Sequence, residues 1–192
     1  MISLWEMLRK LIHLSSLAIP VGYFFFSRGV VLNIIAPIAA GSLAIDIVRL
    51  SHGKVSKPFL RVFGPLLKQD ESIKLTGATN LLIASVICVL FFDKMIAIAA
   101  LWFLILGDPA ASFVGRRIGK IRILHKTLEG SSACLITCLI IALIIPDIRF
   151  QAALAGAVTA TVVELLSLQI DDNLLIPVLS GLVMQLVVMV MG

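Results

Sequence analysis

Charge is what this sequence has least of. Asp, Glu, Lys and Arg make up 14% of its 192 residues, against about a quarter in an ordinary soluble domain. With 60% hydrophobic residues, that scarcity excludes a soluble globular class and predicts an all-α, polytopic membrane protein. Spans of about 20 residues each use up most of the length. No separate soluble domain is therefore expected, and residues 1–192 read as one transmembrane domain. Cysteine is scarce too. Cys88, Cys134 and Cys138 all sit in apolar runs, and no His or further Cys completes a zinc set. They read as small packing residues. A cleavage site is also missing. The apolar run after Lys10 has the outline of a signal peptide, but no small-x-small pattern follows Phe26, so the run reads as the first span. Neither an internal repeat nor a low-complexity tract is present. The net charge of +5 is small, and no nucleic-acid partner is expected.

What is present is a series of hydrophobic runs. They predict seven transmembrane helices at about Leu11–Phe26, Gly29–Val48, Thr76–Phe92, Met95–Val114, Ser131–Ile145, Gln151–Leu168 and Leu174–Met191. Several are short for about 30 Å of hydrocarbon, so their ends must extend into flanking polar residues. Thirteen Lys and Arg fall on one side of this layout, and three (Arg28, Lys94 and Arg149) on the other. The positive-inside rule then puts the N-terminus and the two large basic loops in the cytoplasm of a multi-pass cell-membrane protein. Within the first of those loops, Pro58 to Lys68 mixes aromatic, aliphatic and basic residues. That composition suits an element lying in the headgroup layer, either as a plain connector or as a route for substrate entry.

Acids are absent from the outer half of the bilayer, where only the loop residues Asp93 and Asp147 occur. The inner half has five. Asp46 lies near the cytoplasmic end of the second span. Asp108 and Glu164 each lie about 14 residues into spans four and six, roughly 20 Å from the outer ends. Asp171 and Asp172 stand at the cytoplasmic mouth after span six. An ionisable residue inside a membrane costs several kcal/mol or more and marks a functional site by default. The alternative for each acid is a local ion pair, as with Asp46 and Arg49 one turn on. For Asp171-Asp172-Asn173 the alternative is a solvated turn that caps the last helix.

No phosphate-binding P-loop is present. Gly115-Arg-Arg-Ile-Gly119-Lys120 has three residues between its glycines instead of four, and Ile121 follows the lysine. Small residues three or four apart also serve helix packing. At Asp108-Pro109 two readings stand. Proline removes the bond to the carbonyl of Ile105, or Asp108 caps a new helix whose positive end faces the membrane interior.

The run Asp108-x-x-Ala111-x-x-x-Gly115-x-x-x-Gly119, followed by Lys126-Thr127-x-Glu129-Gly130, resembles the nucleotide-binding signature of the dolichol kinase, phytol kinase and CTP-dependent diacylglycerol kinase family. More distantly it is similar to the phosphatidate cytidylyltransferases. Arg9-Lys10-x-x-His13, Leu75-Thr76-Gly77-Ala78-Thr79, and Glu164 followed by Asp171-Asp172-Asn173-x-x-Ile176-Pro177 resemble further pieces of the same family, in order along the chain. Two departures stand out. The spacer from Gly119 to Lys126 is shorter than in the eukaryotic members, and His125 occupies the place of their second lysine. The cytidylyltransferase His-Gly-Gly and Asp-Arg signature is absent, which favours the kinase branch.

The resemblance implies phosphoryl transfer from a nucleoside triphosphate, CTP or else ATP, to the hydroxyl of a polyprenol, phytol-type or diacylglycerol lipid at the cytoplasmic face. Ala111, Gly115, Gly119, Lys126, Thr127, Glu129 and Gly130 would hold the nucleotide. Mg²⁺ prefers carboxylate and phosphate oxygens, and Asp108, Asp171 and Asp172 are its candidate ligands. Lys126 would neutralise phosphate charge. Glu164 or Asp108 would accept the hydroxyl proton. Arg9, His13, Asp46, Thr76, Thr79 and Asn173 are further candidates. Two other functions remain in view: a CDP-lipid synthase using the same nucleotide site, and an ion-coupled transporter, against which the apolar outer half argues.

Overall fold

A computed structural model describes residues 4–51, 64, 73–166 and 170–191. The described chain is almost entirely helical: α1 (Leu4–Ser15), α2 (Ala18–Phe25), α3 (Arg28–Ser51), α4 (Gly77–Phe91), α5 (Lys94–Ile118), α6 (Leu128–Ile144), α7 (Phe150–Leu166) and α8 (Asp172–Met191). Two short antiparallel strands, β1 (Arg122–Ile123) and β2 (Lys126–Thr127), stand between α5 and α6 and pair Arg122 with Thr127 and Ile123 with Lys126. Apolar helix thus occurs at all seven hydrophobic runs. By length and composition, α3, α5 and α8 can each cross a membrane, while Leu11–Phe25, α4, α6 and α7 are shorter apolar helices.

The helices follow the hydrophobic runs but not always their limits. The first run is not one helix. It breaks at Ser16 and Leu17, whose N–H groups bond three residues back to His13 and Leu14. The Ser15 hydroxyl donates to the carbonyl of Ile12 and that of Ser16 to His13, which competes with the helical ladder. Pro20 then falls in the first turn of α2, where a missing N–H is tolerated. Helices α3 and α5 lengthen into polar flanks as the bilayer requires. Helix α6 also starts three residues before the predicted Ser131, at a cap where the hydroxyl of Thr127 accepts from the N–H of Gly130, whereas α4 does not lengthen, its start fixed by the Thr76 hydroxyl accepting from the N–H of Thr79. The stretch Pro58 to Lys68 falls almost wholly outside the described residues.

Helix α5 is the hub. It packs against α2, α4, α6, α7 and α8, and from Ile96 to Ile105 only Trp102 is not fully buried. It also runs unbroken through Asp108 and Pro109, so Asp108 does not cap a new helix. Tertiary packing explains the continuity. A side chain at Gly107 would meet the sulfurs of Cys134 and Cys138 at 3.0 and 3.2 Å, so α6 presses directly on the turn from Ile105 to Pro109 that lacks the bond. The three cysteines are buried and unpaired; for Cys134 and Cys138 this contact is the packing role read from the sequence. The outer faces of α3, α6 and α8 are apolar, with Ile34, Ile38, Ile140, Leu143, Leu182 and Leu186 exposed. An exposed apolar surface of this extent fits contact with lipid.

Candidate active site

Four residues from four separate elements meet at one end of the bundle. Lys126 on β2 places its Nζ 3.0 Å from Glu164 Oε1 on α7, 3.0 Å from Asp172 Oδ2 in the first turn of α8, and 3.8 Å from Asp108 Oδ1 on α5. Among the described residues one cation therefore faces three carboxylates, and these four side chains carry two net negative charges when all are ionised. It is also graded in exposure. The side chain of Glu164 is 2% exposed, that of Asp172 16%, Lys126 23% and Asp108 27%. Glu164 forms the floor, and Asp108 and Asp172 stand at the opening. Burial acts to lower the Lys126 pKa, but the charges of Asp108, Asp172 and Glu164 together outweigh it and hold the ammonium above the ordinary lysine range.

The floor has a member that the sequence reading missed. Ser131, buried in the first turn of α6, donates from its hydroxyl to Glu164 Oε2 at 2.6 Å. Glu164 thus accepts from Ser131 on one oxygen and from Lys126 on the other, and both fix its orientation. The only local signal was a serine pair after Gly130; nothing in the sequence joins it to Glu164, 33 residues on.

The small residues of the signature build the support for Lys126. A Cβ on Gly115 would lie 2.6 Å from Thr127 Oγ1, and one on Gly130 2.8 Å from the carbonyl of Ala111 and 3.3 Å from the Cα of Gly115. A Cβ on Gly119 would meet Thr127 Cγ2 at 2.7 Å. The last turns of α5 therefore lie directly on the β2–α6 junction, which leaves no room for side chains at these glycines. Glu129 completes the support. Both its oxygens accept from the N–H of Ile121, at 3.2 and 3.3 Å, and the N–H of Leu128 donates to the carbonyl of Ile121. Thr127 is spent on capping α6, and Glu129 on closing the loop.

The other candidates divide. Asp46 pairs with Arg49, Nη2 to Oδ1 at 2.9 Å, and both are buried. Its Oδ2 accepts from the N–H and hydroxyl of Thr76 at 2.8 and 3.0 Å, and Arg49 donates to the carbonyl of Lys74 at 2.6 Å. Thr79, also buried, shares hydrogen bonds with Thr76 and Ser42. This second cluster fastens the end of α3 to the start of α4. Asp171, adjacent to Asp172, does something different from it. Its Oδ1 accepts from the N–H and the side-chain amide of Asn173 at 2.9 and 2.7 Å, and its carbonyl accepts from Leu174 and Leu175. The cap of α8 is therefore Asp171, not Asp172 or Asn173. His13 is half-buried in the last turn of α1, an element apart from those carrying the four-residue cluster. Arg9 lies on α1, with its side chain outside the described part.

Among the described residues no three His, Cys, Asp or Glu side chains form a ready-made metal cage. In the four-residue cluster Asp108, Lys126 and Asp172 are all partly exposed, over the buried Glu164.

The chain is similar to an uncharacterized protein of Rickettsia prowazekii, 27% identical over 183 residues that cover 90% of each chain. It is also similar to CTP-dependent diacylglycerol kinase 1 of Saccharomyces cerevisiae, 25% identical over 215 residues, covering 95% of this chain and 73% of the yeast protein. With CTP-dependent diacylglycerol kinase 1 of Eremothecium gossypii the identity is 28% over 187 residues, covering 81% of this chain and 59% of that protein. No family model matches the chain, and no solved structure does.

Proposed function

We propose that this protein is a membrane lipid kinase that transfers the γ-phosphoryl group of CTP to the hydroxyl of a lipid alcohol. The observation that carries the reading is the meeting of Lys126 with Asp108, Glu164 and Asp172. The distant similarity to CTP-dependent diacylglycerol kinases supports CTP as donor, and diacylglycerol ahead of the polyprenol and phytol-type alcohols that the motifs also allow. The basic loops on the Lys126 side support a cytoplasmic site.

Phosphoryl transfer asks a protein for positioning and charge stabilisation more than for covalent chemistry. The cluster offers both. Mg²⁺ is usually held by one or two carboxylates together with substrate phosphates, and the surplus of negative charge at the opening fits that use. Asp108 and Asp172 would hold the ion, which would supply neutralisation of phosphate charge. Asp171, committed to the helix cap, is the weaker ligand of the three considered. Lys126, anchored from behind by Glu164, presents its remaining donor capacity to the phosphates. Ser131 keeps Glu164 in place. Gly115, Gly119 and Gly130 act through packing, by holding Thr127 and hence Lys126 in position. The lipid oxygen bonds to the γ-phosphorus as the bond to the β-phosphate oxygen breaks, and CDP leaves. A carboxylate of the cluster, Glu164 or Asp108, takes the hydroxyl proton and passes it to water.

Product analysis tests this. Purified protein in lipid discs, given CTP labelled in the γ-phosphate together with diacylglycerol, should yield labelled lipid phosphate and CDP. Labelled pyrophosphate with a CDP-lipid from a phosphorylated lipid would instead mean a cytidylyltransferase.

A further inference from the structure

The segment from Ile118 to Leu124 is exposed where a soluble protein would not expose it. Leu124 is 65% exposed and Ile121 55%. Leu124 also occupies the hairpin turn at φ 54°, a left-handed conformation that turns normally give to Gly, Asn or Asp. Neither water nor backbone geometry favours leucine there. An outlier of this kind asks for an external partner.

Position identifies the partner. The hairpin joins the ends of two apolar helices, α5 and α6, so it sits at a membrane surface. Each strand has two residues, a reach of about 7 Å. The headgroup layer is about 5–8 Å thick on each side, so the tip lies within it. Around the apolar tip stand exposed Arg117, Lys120 and Arg122. The segment itself has no carboxylate, and the nearby Glu129, in the first turn of α6, is turned onto the N–H of Ile121. Interleaved basic and apolar side chains match an anionic headgroup layer over a hydrocarbon floor.

We propose that the hairpin tip is an anionic-lipid contact, with Ile121 and Leu124 inserted at the acyl boundary and Lys120 and Arg122 on the headgroup phosphates. The contact is independent of the kinase reading and is tested without an activity assay. A fluorescent label at Leu124→Cys reports its surroundings; the native cysteines Cys88, Cys134 and Cys138 are buried and do not compete for it. A control label at Pro146→Cys sits at the opposite end of α6. In discs of phosphatidylcholine mixed with phosphatidylglycerol, the label at 124 should be shielded from aqueous acrylamide and quenched by headgroup-nitroxide lipid. Phosphatidylcholine alone or added salt should reverse this, while the label at 146 stays unchanged. Lys120→Gln and Arg122→Gln should each weaken the anionic preference, on the order of fivefold per charge. Equal quenching at 124 in neutral and anionic discs would overturn the proposal. So would shielding that appears only when a disc holds two copies, because it would assign the surface to self-association.

Discussion

Among the described residues two charge clusters stand out, and they differ in balance. Around Asp46 one acid meets one base. Both are sealed from solvent, and Thr76 and the Lys74 carbonyl take up further donors and acceptors. Around Lys126 one base meets three acids, and the outer two remain partly open. Sequence marks Asp46 and Asp108 alike as intramembrane acids. The structure separates them: the group at Asp46 is sealed and fastens α3 to α4, whereas at Lys126 carboxylates outnumber the cation among the described residues and two of them stay partly exposed, the arrangement proposed above to receive a cation and phosphates.

The largest effect should come from breaking the closed cluster. Asp46→Ala removes the carboxylate 2.9 Å from the buried Arg49, and stability should fall by about 3–5 kcal/mol. Thermal unfolding of the detergent-solubilised protein measures this. The molecules that remain folded should keep their turnover, and loss of turnover without loss of stability would erase the contrast between the clusters. Next in size, Lys126→Ala should lower turnover about 100- to 1,000-fold, the range for removing one preorganised charge-stabilising donor, with a smaller change in unfolding temperature than Asp46→Ala. Steady-state assay beside the melting curve checks both.

A finer contrast lies within Asp171-Asp172. Asp171→Ala removes a helix cap and should cost about 1 kcal/mol of stability while leaving the Mg²⁺ requirement unchanged. Asp172→Asn should raise the Mg²⁺ requirement with little effect on stability. Matching Mg²⁺ titrations for the two variants would remove the distinction. Smallest of all is the effect of pH on Lys126. Its pKa is raised, so its stabilising charge is fully present below the ordinary lysine value of about 10.4. It is lost only as pH rises through the higher folded value. Turnover between pH 7 and 10 should show no decline from this lysine; an alkaline limb that Lys126→Arg removes would contradict the assignment.

The hydrophobic runs were legible because lipid demands long apolar stretches, and each of the seven holds apolar helix, the first divided between α1 and α2. Asp108 and Glu164 were legible as acids inside apolar runs, and Asp172 as an acid at the cytoplasmic mouth; Lys126, one of several cations in a basic loop, was marked only by the motif resemblance. What was not legible depended on distant partners. The contact of α6 at Gly107 keeps α5 continuous through Pro109, although local chemistry allowed a break. Ser131 looks like any helix serine until Glu164 is placed beside it. Asp171 and Asp172 are indistinguishable as letters, and only the start of α8 sends one to Asn173 and the other to Lys126. The glycines of the signature suggested a phosphate cradle or helix packing, and their distances to Thr127 support packing.

Binding of Mn²⁺ in the presence of CTP tests the surplus-charge account most directly. Electron paramagnetic resonance of the protein in lipid discs counts bound Mn²⁺ without requiring turnover. The account predicts one tightly bound ion in the wild type and in Asp171→Ala, and its loss when Asp108→Asn and Asp172→Asn are combined. Unchanged Mn²⁺ affinity in that double variant would contradict it and place the metal away from Lys126.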